Sequence, residues 1–315
     1  MSFVMPLRKR TTFTANALPT VIFHAERDHE IILVLDKCPH EYEFKSRPDS
    51  YGTDPSAWAS ALEADRAARE HMCRWIDGHQ ALLDEHNVKI LEFQGDEHYW
   101  TGGLRMSGAL NVGVSAATTD WIVGVGDEDL IFMPGWDRVM WDTLGLDEGR
   151  DPNKFVSNMA MITFQGRDWW PEPLTPEWIQ AQRKQCSHYL TFPLAARHQS
   201  PEATRVSYDA IKRFCDIARV PGVIEEPCGA RAMTHWVPEL MFKPMLVRNG
   251  SWPTDDGSAF GPDIAQDDMF NRMGIRRRMS TDHMVVHSKH YLFKSAEWDR
   301  IWVDPEIVKI KGILQ

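Results

Sequence analysis

The first 125 residues alternate between short β-rich runs and longer stretches of helical periodicity, and few architectures accommodate that order. Ser2–Met5 is an apolar run ahead of Pro6, and Glu30-Ile31-Ile32-Leu33-Val34-Leu35 is a second run ending in Asp36. Val88–Phe93 and Trp121–Val125 read as the third and fourth strands. Asp54-Pro55 supplies an N-cap and a first-turn proline for a helix reaching about His86. Trp58, Leu62, Met72, Ile76 and Leu83 recur near one face of that helix, and Met106, Leu110, Val114 and Ala117 form a stripe on Leu104–Ala117. Strands that alternate with helices pair in parallel, because a helical crossover returns the chain to the same end of the sheet. The order predicts an α/β fold, a mostly parallel sheet flanked by helices.

Composition narrows the class further. The chain has 315 residues, Lys+Arg 35 against Asp+Glu 45, and a formal net charge of −10. Hydrophobic content of 43% and charged content of 25% exclude a disordered or fibrous chain. The acidic balance argues against a protein whose main task is gripping nucleic-acid phosphates, while leaving room for a local basic groove. Cys38, Cys73, Cys186, Cys215 and Cys228 are scattered without a C-x-x-C, which fits reduced thiols in a cytoplasmic protein. The longest aliphatic run, Ile31–Leu35, is far short of the roughly 20 residues a spanning helix requires. Residues 1–10 have no apolar segment of a signal peptide. A soluble cytoplasmic chain without a membrane span is expected.

The second half is less regular. Residues 165–205 are rich in Trp, Pro and Gln and read as a long irregular insertion. Tyr208–Arg219 and Pro262–Gly274 read as helices, Arg276-Arg277-Arg278 as a solvated helix end, and His283–His287 as a strand. Neither a repeat nor an inter-domain linker is evident.

Parallel sheets carry their chemistry at the carboxyl ends of the strands. Asp36 stands at one such end, and the fourth strand runs directly into Gly126-Asp127-Glu128-Asp129. Three successive carboxylates after a buried strand are costly unless a cation or hydrogen bonds compensate them. With one residue between them, Asp127 and Asp129 would both address a divalent ion bound to a diphosphate. The competing reading is a solvated acidic turn that caps the helix starting at Pro134.

Four stretches together resemble the family 2 glycosyltransferases of the GT-A, Rossmann-like fold. They are M-S-F-V-M-P-L-R-K-R at 1–10, E-I-I-L-V-L-D-K-C at 30–38, G-G-L-R-M-S-G-A-L-N-V-G at 102–113 and D-W-I-V-G-V-G-D-E-D at 120–129. The resemblance covers roughly residues 1–140. It implies a nucleotide-sugar donor, with UDP the expected nucleotide, and a hydroxyl acceptor. Pro6, Leu7 and Arg8 would lie beside the nucleoside and Asp36 would hydrogen-bond the base. Arg105 would lie near the diphosphate, Asp127 by the ribose or metal, and Asp129 on the metal. Leu110 departs from the pattern, standing where the family often has Arg.

A second likeness lies downstream. Asp267-Asp268-Met269-Phe270-Asn271-Arg272, followed by Met284-Val285-Val286-His287-Ser288, resembles the end of the β-1,4-galactosyltransferase catalytic domain. That likeness makes His287 the third metal ligand, and two carboxylates with an imidazole suit Mn2+, with Mg2+ the alternative. His283 and His290 stand close enough in sequence to compete. An inverting transfer needs a base for the acceptor hydroxyl. Asp263 suits a helix-capping role and Asp268 an ion pair with Arg272, which leaves Asp267 as the expected base. Alignment on F-N-R puts Gln266, not a carboxylate, at the family's base position.

Residues 1–140 are thus expected to bind the nucleotide sugar, 141–290 to bind the acceptor and complete catalysis within one domain, and 291–315 to form a tail. Trp169, Trp170, Trp178, Trp236 and Trp252 would offer stacking faces for a sugar or a base. Two other readings stay open: a DNA-modifying glycosyltransferase acting on hydroxylated bases, and a catalytically inactive GT-A module that binds glycan or nucleic acid. A nucleotidyltransferase would carry a Gly-rich loop after its first strand, and M-P-L-R-K-R has no glycine.

Overall fold

Every residue of Glu30–Asp36 is buried. A strand achieves this only where both faces of its sheet are covered. The computed structural model describes residues 1–8, 11–39, 55–96, 102–125, 130–165, 176–185, 189–193, 212, 215–228, 238–253 and 262–288. Its first half contains β1 (Ser2–Leu7), α1 (Thr11–Phe23), β2 (Glu30–Asp36), α2 (Pro55–Glu85), β3 (Val88–Phe93), α3 (Gly102–Ala116), β4 (Trp121–Gly124), β5 (Leu130–Phe132) and α4 (Trp136–Leu144). The second half adds β6 (Phe155–Gln165), α5 (Pro176–Gln185), β7 (Tyr189–Pro193), β8 (Val223–Pro227), β9 (Glu239–Phe242), α6 (Lys243–Arg248), α7 (Pro262–Arg272) and β10 (Arg276–Ser288).

Among the described residues these strands form one ten-stranded sheet in the order β3-β2-β1-β4-β9-β6-β10-β5, with β7 on β6 and β8 on β10. β1 pairs in parallel with β2 and β4, and β2 with β3. β9 is antiparallel to both β4 and β6, so β6 runs with β4; β7 and β10 are parallel to β6. Only β5, β8 and β9 oppose the common direction. The sheet is therefore mostly parallel, and the carboxyl ends of β1, β2, β4, β6 and β10 share one edge.

Alternation along the strands feeds two cores. Phe3, Met5, Leu7, Ile31, Leu33 and Leu35 pack on one face against Leu18 and Val21 of α1, Met72 and Ile76 of α2, and Trp136 and Met140 of α4. Val4, Ile32 and Val34 pack on the other face against Leu110 and Val114 of α3, Met245 of α6 and Phe270 of α7. Both helices expected in the first half are present close to their predicted bounds.

Four departures from the sequence reading have local causes. First, α1 forms despite Pro19 inside it. Its Thr20 hydroxyl donates to Ala17 O (2.7 Å) and accepts Phe132 N–H (3.1 Å), tying the helix to β5. Second, β1 continues through Pro6 to Leu7; the β1–β4 pairing ends at Val4, so Pro6 lies where one side of β1 is an edge. Third, within residues 165–205, expected to be irregular, Pro176–Gln185 is a helix and Tyr189–Pro193 a strand paired with β6. Finally, Arg276–Arg278 open β10 instead of ending a helix, and Arg277 and Arg278 are buried.

Close approach explains one glycine. A Cβ on Gly124 would sit 2.5 Å and 2.6 Å from ring carbons of Trp252, which is itself 1% exposed. Gly124→Ala is expected to cost about 1–3 kcal/mol of stability by overpacking. Gly78→Ala, in an exposed turn of α2 with nothing within 4 Å, should instead stabilise by roughly 0.5–1 kcal/mol. Urea denaturation of the two variants checks the pair; equal midpoints would refute the steric argument.

Candidate functional site

The parallel register of β1 and β2 sets the first part of the site. Leu7 pairs with Leu35, so Arg8 and Asp36 emerge side by side at the carboxyl edge. Arg8 Nη1 donates to Asp36 Oδ2, and Arg8 Nη2 lies 3.5 Å from Asp65 Oδ2 on α2. Arg105, reaching down from α3, places Nε 3.4 Å from the same Asp36 Oδ2 and is 2% exposed. The other oxygen of Asp36 accepts the Cys38 N–H at 2.8 Å. One carboxylate thereby ties together β1, β2 and α3 and holds two guanidinium groups in a nearly dry corner. The Arg8–Asp36 contact is a charge-assisted hydrogen bond, strong enough to fix both partners, whereas Arg105 faces the carboxylate as an ion pair.

Cys38 is the supporting residue beneath this corner. Its Sγ accepts the Gly95 N–H at 3.1 Å. Burial and the neighbouring Asp36 carboxylate push the thiol up to about 12, so it stays protonated and unreactive. Leu7 is 1% exposed and packs in the core, so it would meet a ligand only through its backbone, whereas Pro6 is half-buried.

The residues that flank the acidic segment lie at the ends of β4 and β5. Asp127 and Asp129 lie outside the described residues, but both flanks are described. Val125 N–H donates to Val4 O at 3.0 Å, beside β1. Leu130, the residue after Asp129, pairs with His287 in the antiparallel β5–β10 ladder. Val125 and Leu130 are joined by five peptide links, which reach at most about 18 Å. Leu130, the strand partner of His287, is therefore no more than about 18 Å along the chain from Val125, just past the end of β4. The pairings Phe3–Val123, Val123–Leu240 and Leu240–Ser157 trace one row across the sheet. Arg8 and Asp36 lie five residues beyond that row, and Thr163, the strand partner of His287, lies six. In register, the three lie within one residue of each other towards the carboxyl edge.

A bulge in β10 separates the two strand histidines. Ser280 pairs with Met159 and Met284 with Ala160, leaving Thr281, Asp282 and His283 in the bulge. His283 Nε2 lies 3.4 Å from Met133 O, and burial pushes its pKa down to about 4. His287, beyond the bulge and 7% exposed, is the one opposite Leu130. Among the described residues no group of three or more His, Cys, Asp or Glu gathers as a metal site. His290 lies outside those residues.

Asp267 stands apart from this edge. It is 6% exposed, on α7, and both of its oxygens face Arg277 of β10. Arg277 also donates Nε to Glu239 Oε1 at 2.6 Å. Gln266, next to Asp267, accepts the Trp252 indole N–H at 2.9 Å and lies 3.4 Å from Glu239 Oε2. Asn111 of α3 grips the Trp252 backbone twice, accepting its N–H at 2.8 Å and donating to its carbonyl at 2.9 Å. Trp252 is thus a core anchor, not an open stacking face. Trp169, Trp170 and Trp236 lie outside the described residues, and of Trp178 only the backbone is described, in α5.

No family model matches the sequence, and no curated protein matches it. Among solved structures the chain is similar to GalNAc-T7 crystallised with UDP, GalNAc and Mn2+, at 12% identity and a TM-score of 0.48, over 91% of this chain and 43% of that one. It is similar also to residues 1–349 of S. aureus TarS, at 12% identity and a TM-score of 0.46, over 91% of this chain and 60% of that one. The chain spans 43% of the crystallised GalNAc-T7 chain, and 36% of the longer crystallised TarS chain, to which it is similar at 11% identity and a TM-score of 0.45.

Sequence reasoning missed Asp65, Cys38 and Glu239. Asp65 left a trace: it falls three residues after Leu62 and seven before Met72, on the apolar stripe of α2, where a carboxylate calls for a partner. Glu239 and Arg277 left none, since their pairing depends on which strands become neighbours across the sheet.

Proposed function

We propose that the chain is a GT-A-fold glycosyltransferase that moves a sugar from a nucleotide-sugar donor, with UDP the expected nucleotide, to a hydroxyl acceptor. One observation carries this reading. The Arg8–Asp36–Arg105 corner, the end of β4 and His287 share one sheet edge, and Leu130, the strand partner of His287, follows Asp129 in the sequence. In this reading Arg8 and Asp36 receive the nucleoside. Arg105 is a positioning residue that holds Asp36, since its guanidinium is buried against that carboxylate.

The donor set fits a divalent cation. Asp127, Asp129 and His287 would hold Mn2+ or Mg2+, and the mixed oxygen and nitrogen ligands favour Mn2+. Such an ion supplies charge neutralisation for the departing nucleoside diphosphate. The chain's own contribution is the β5–β10 ladder, which holds Leu130, the residue after Asp129, opposite His287. Asp267, committed to Arg277, holds α7 against the sheet and is given no proton-accepting role. No helix of the described residues is long and apolar enough to cross a membrane.

A thermal-shift panel of nucleotide sugars, with and without Mn2+, tests the proposal. A donor at a hundred times its dissociation constant should stabilise the protein by about 2.7 kcal/mol. The expected result is a metal-dependent rise of several degrees for one nucleotide class. No shift with any donor in the presence of Mn2+ would refute a donor site and favour an inactive binding module.

A further inference from the structure

Asp36 ends β2 with its carboxylate folded back onto the chain. Its Oδ1 accepts the N–H of Cys38, two residues on, at 2.8 Å. In such an Asx-turn the side chain stands in for a backbone carbonyl, and its own rotamer is fixed against the turn. Oδ2 is then left facing Arg8 and Arg105. The direction of Asp36 therefore depends on where residue 38 is kept.

Two neighbouring elements keep it. Lys37 N–H donates to Phe93 O at 2.7 Å and Cys38 Sγ accepts the Gly95 N–H at 3.1 Å, so the turn lies along the end of β3. From α2, Arg69 Nη1 donates to Cys38 O at 2.6 Å. The N–H and the carbonyl of Cys38 flank one Cα, so Asp36 grips the peptide before it and Arg69 the peptide after it. Asp65 stands one helical turn before Arg69 on the same face of α2 and lies 3.5 Å from Arg8 Nη2. One face of α2 thus meets both Arg8 and the turn that directs Asp36. Arg69 is half-buried in this corner. Burial, and next the positive charge of Arg8, lower its pKa from the ordinary arginine range, while Asp36 and Asp65 act in the opposite direction. Its bond to the carbonyl is charge-assisted, which makes it a firm tie.

We propose that Arg69 is a positioning residue for recognition of the nucleotide base: it holds the Cys38 carbonyl and, through the Cys38 turn, keeps Asp36 aimed at the nucleoside. The inference rests on the donor site proposed above, with Arg8 and Asp36 receiving the nucleoside. Arg69 is assigned no contact with the ligand. Its loss should therefore weaken the reading of the base and spare the ribose and diphosphate. A side chain that merely anchored α2 would change stability and leave base preference as it was.

Calorimetric titration of UDP and of ADP, each with Mn2+ present, into the full-length protein tests it, since the two ligands differ only in the base. Arg69→Met and Arg69→Gln both remove the tie to Cys38 O, and either serves if the other fails to fold. UDP affinity is expected to fall at least about tenfold, with ADP affinity within about twofold of wild type. Arg69→Lys keeps a cationic donor and should recover most of the UDP affinity. Arg74→Met, at an exposed position further along α2, should leave both ligands unchanged. Variants that keep the wild-type preference for UDP overturn the proposal, while that preference itself upholds the donor site. Equal losses for UDP and ADP also overturn it, because Arg69 would then act on the shared part of the ligand or on the fold at large. So does an Arg69→Lys variant no stronger than Arg69→Met, since the role would not pass through the Cys38 carbonyl. A wild type that binds UDP no more tightly than ADP overturns the proposal together with UDP as the expected nucleotide; a metal-dependent shift with another donor would still uphold the donor site.

Discussion

Asp129→Ala is expected to lower metal-dependent sugar transfer by more than about a hundredfold while leaving the fold intact. The magnitude follows from position. Residues that merely orient a metal ligand cost roughly 10–100-fold when removed, so a direct ligand should cost more. Asp129 immediately precedes Leu130, whose strand partner is His287. His287→Ala should therefore weaken the same Mn2+ dependence, and the two changes together should cost less than the product of their separate effects, because each already disables one shared site. Initial rates against Mn2+ concentration provide the measurement, with donor hydrolysis serving in place of transfer until an acceptor is found. Full activity in Asp129→Ala at saturating Mn2+ would remove this residue from the site. Loss of activity with an unchanged Mn2+ response would give it a role other than ligation.

The difference between what the sequence disclosed and what it hid lies in the range of the interactions involved. Asp36 was legible because a run of β-branched and aliphatic residues ends on it, and the end of a parallel strand is an edge position wherever the strand lies in the sheet. The start of α2 was legible from Asp54-Pro55, a local cap signal. The β-rich run Tyr189–Pro193 and the Thr175-Pro176 start of α5 carried similar local signals, yet the surrounding Trp and Pro content outweighed them. α1, a stretch to which the sequence reading assigned no element, contains Pro19, whose local cost is outweighed by burying Leu18 and Val21 against the sheet. For Arg105 the sequence offered a helix-face cation near a diphosphate. Its packing against Asp36 depends on α3 crossing the face that β2 presents, which periodicity alone does not specify. Arg277 is the furthest case. Three consecutive arginines read as a solvated helix end until β10 is seen to run between β6 and β8, with Glu239 on β9 and Asp267 on α7 beside it.

Arg277→Met is expected to destabilise the protein by about 3–5 kcal/mol, the range for removing one partner of a buried ion pair. Arg277 is 4% exposed, between Glu239 at 6% and Asp267 at 6%. Burial works against its charge, yet Glu239 and Asp267 hold its pKa above the ordinary arginine range. Burial, with Asp267 adding to it, raises the pKa of Glu239 even with Arg277 in place. Without the guanidinium two carboxylates would face each other with no cation between them, and the Glu239 pKa would climb further. The sign of the pH dependence follows. A carboxyl whose pKa is higher folded than unfolded binds its proton more tightly in the folded state, so falling pH favours folding and rising pH through the folded pKa removes that gain. Arg277→Met should therefore recover stability between pH 7 and pH 5 by more than the wild type does, as read from urea denaturation midpoints. Adding Glu239→Gln and Asp267→Asn to the same chain should restore a large part of the loss at pH 7, because neutral amides do not strand a buried charge. A loss below about 1 kcal/mol for Arg277→Met, or no recovery in the triple variant, would show that the cluster is more hydrated than its geometry indicates. It would also release Asp267 from the task of holding α7, and with that restore it as a candidate for the acceptor's proton.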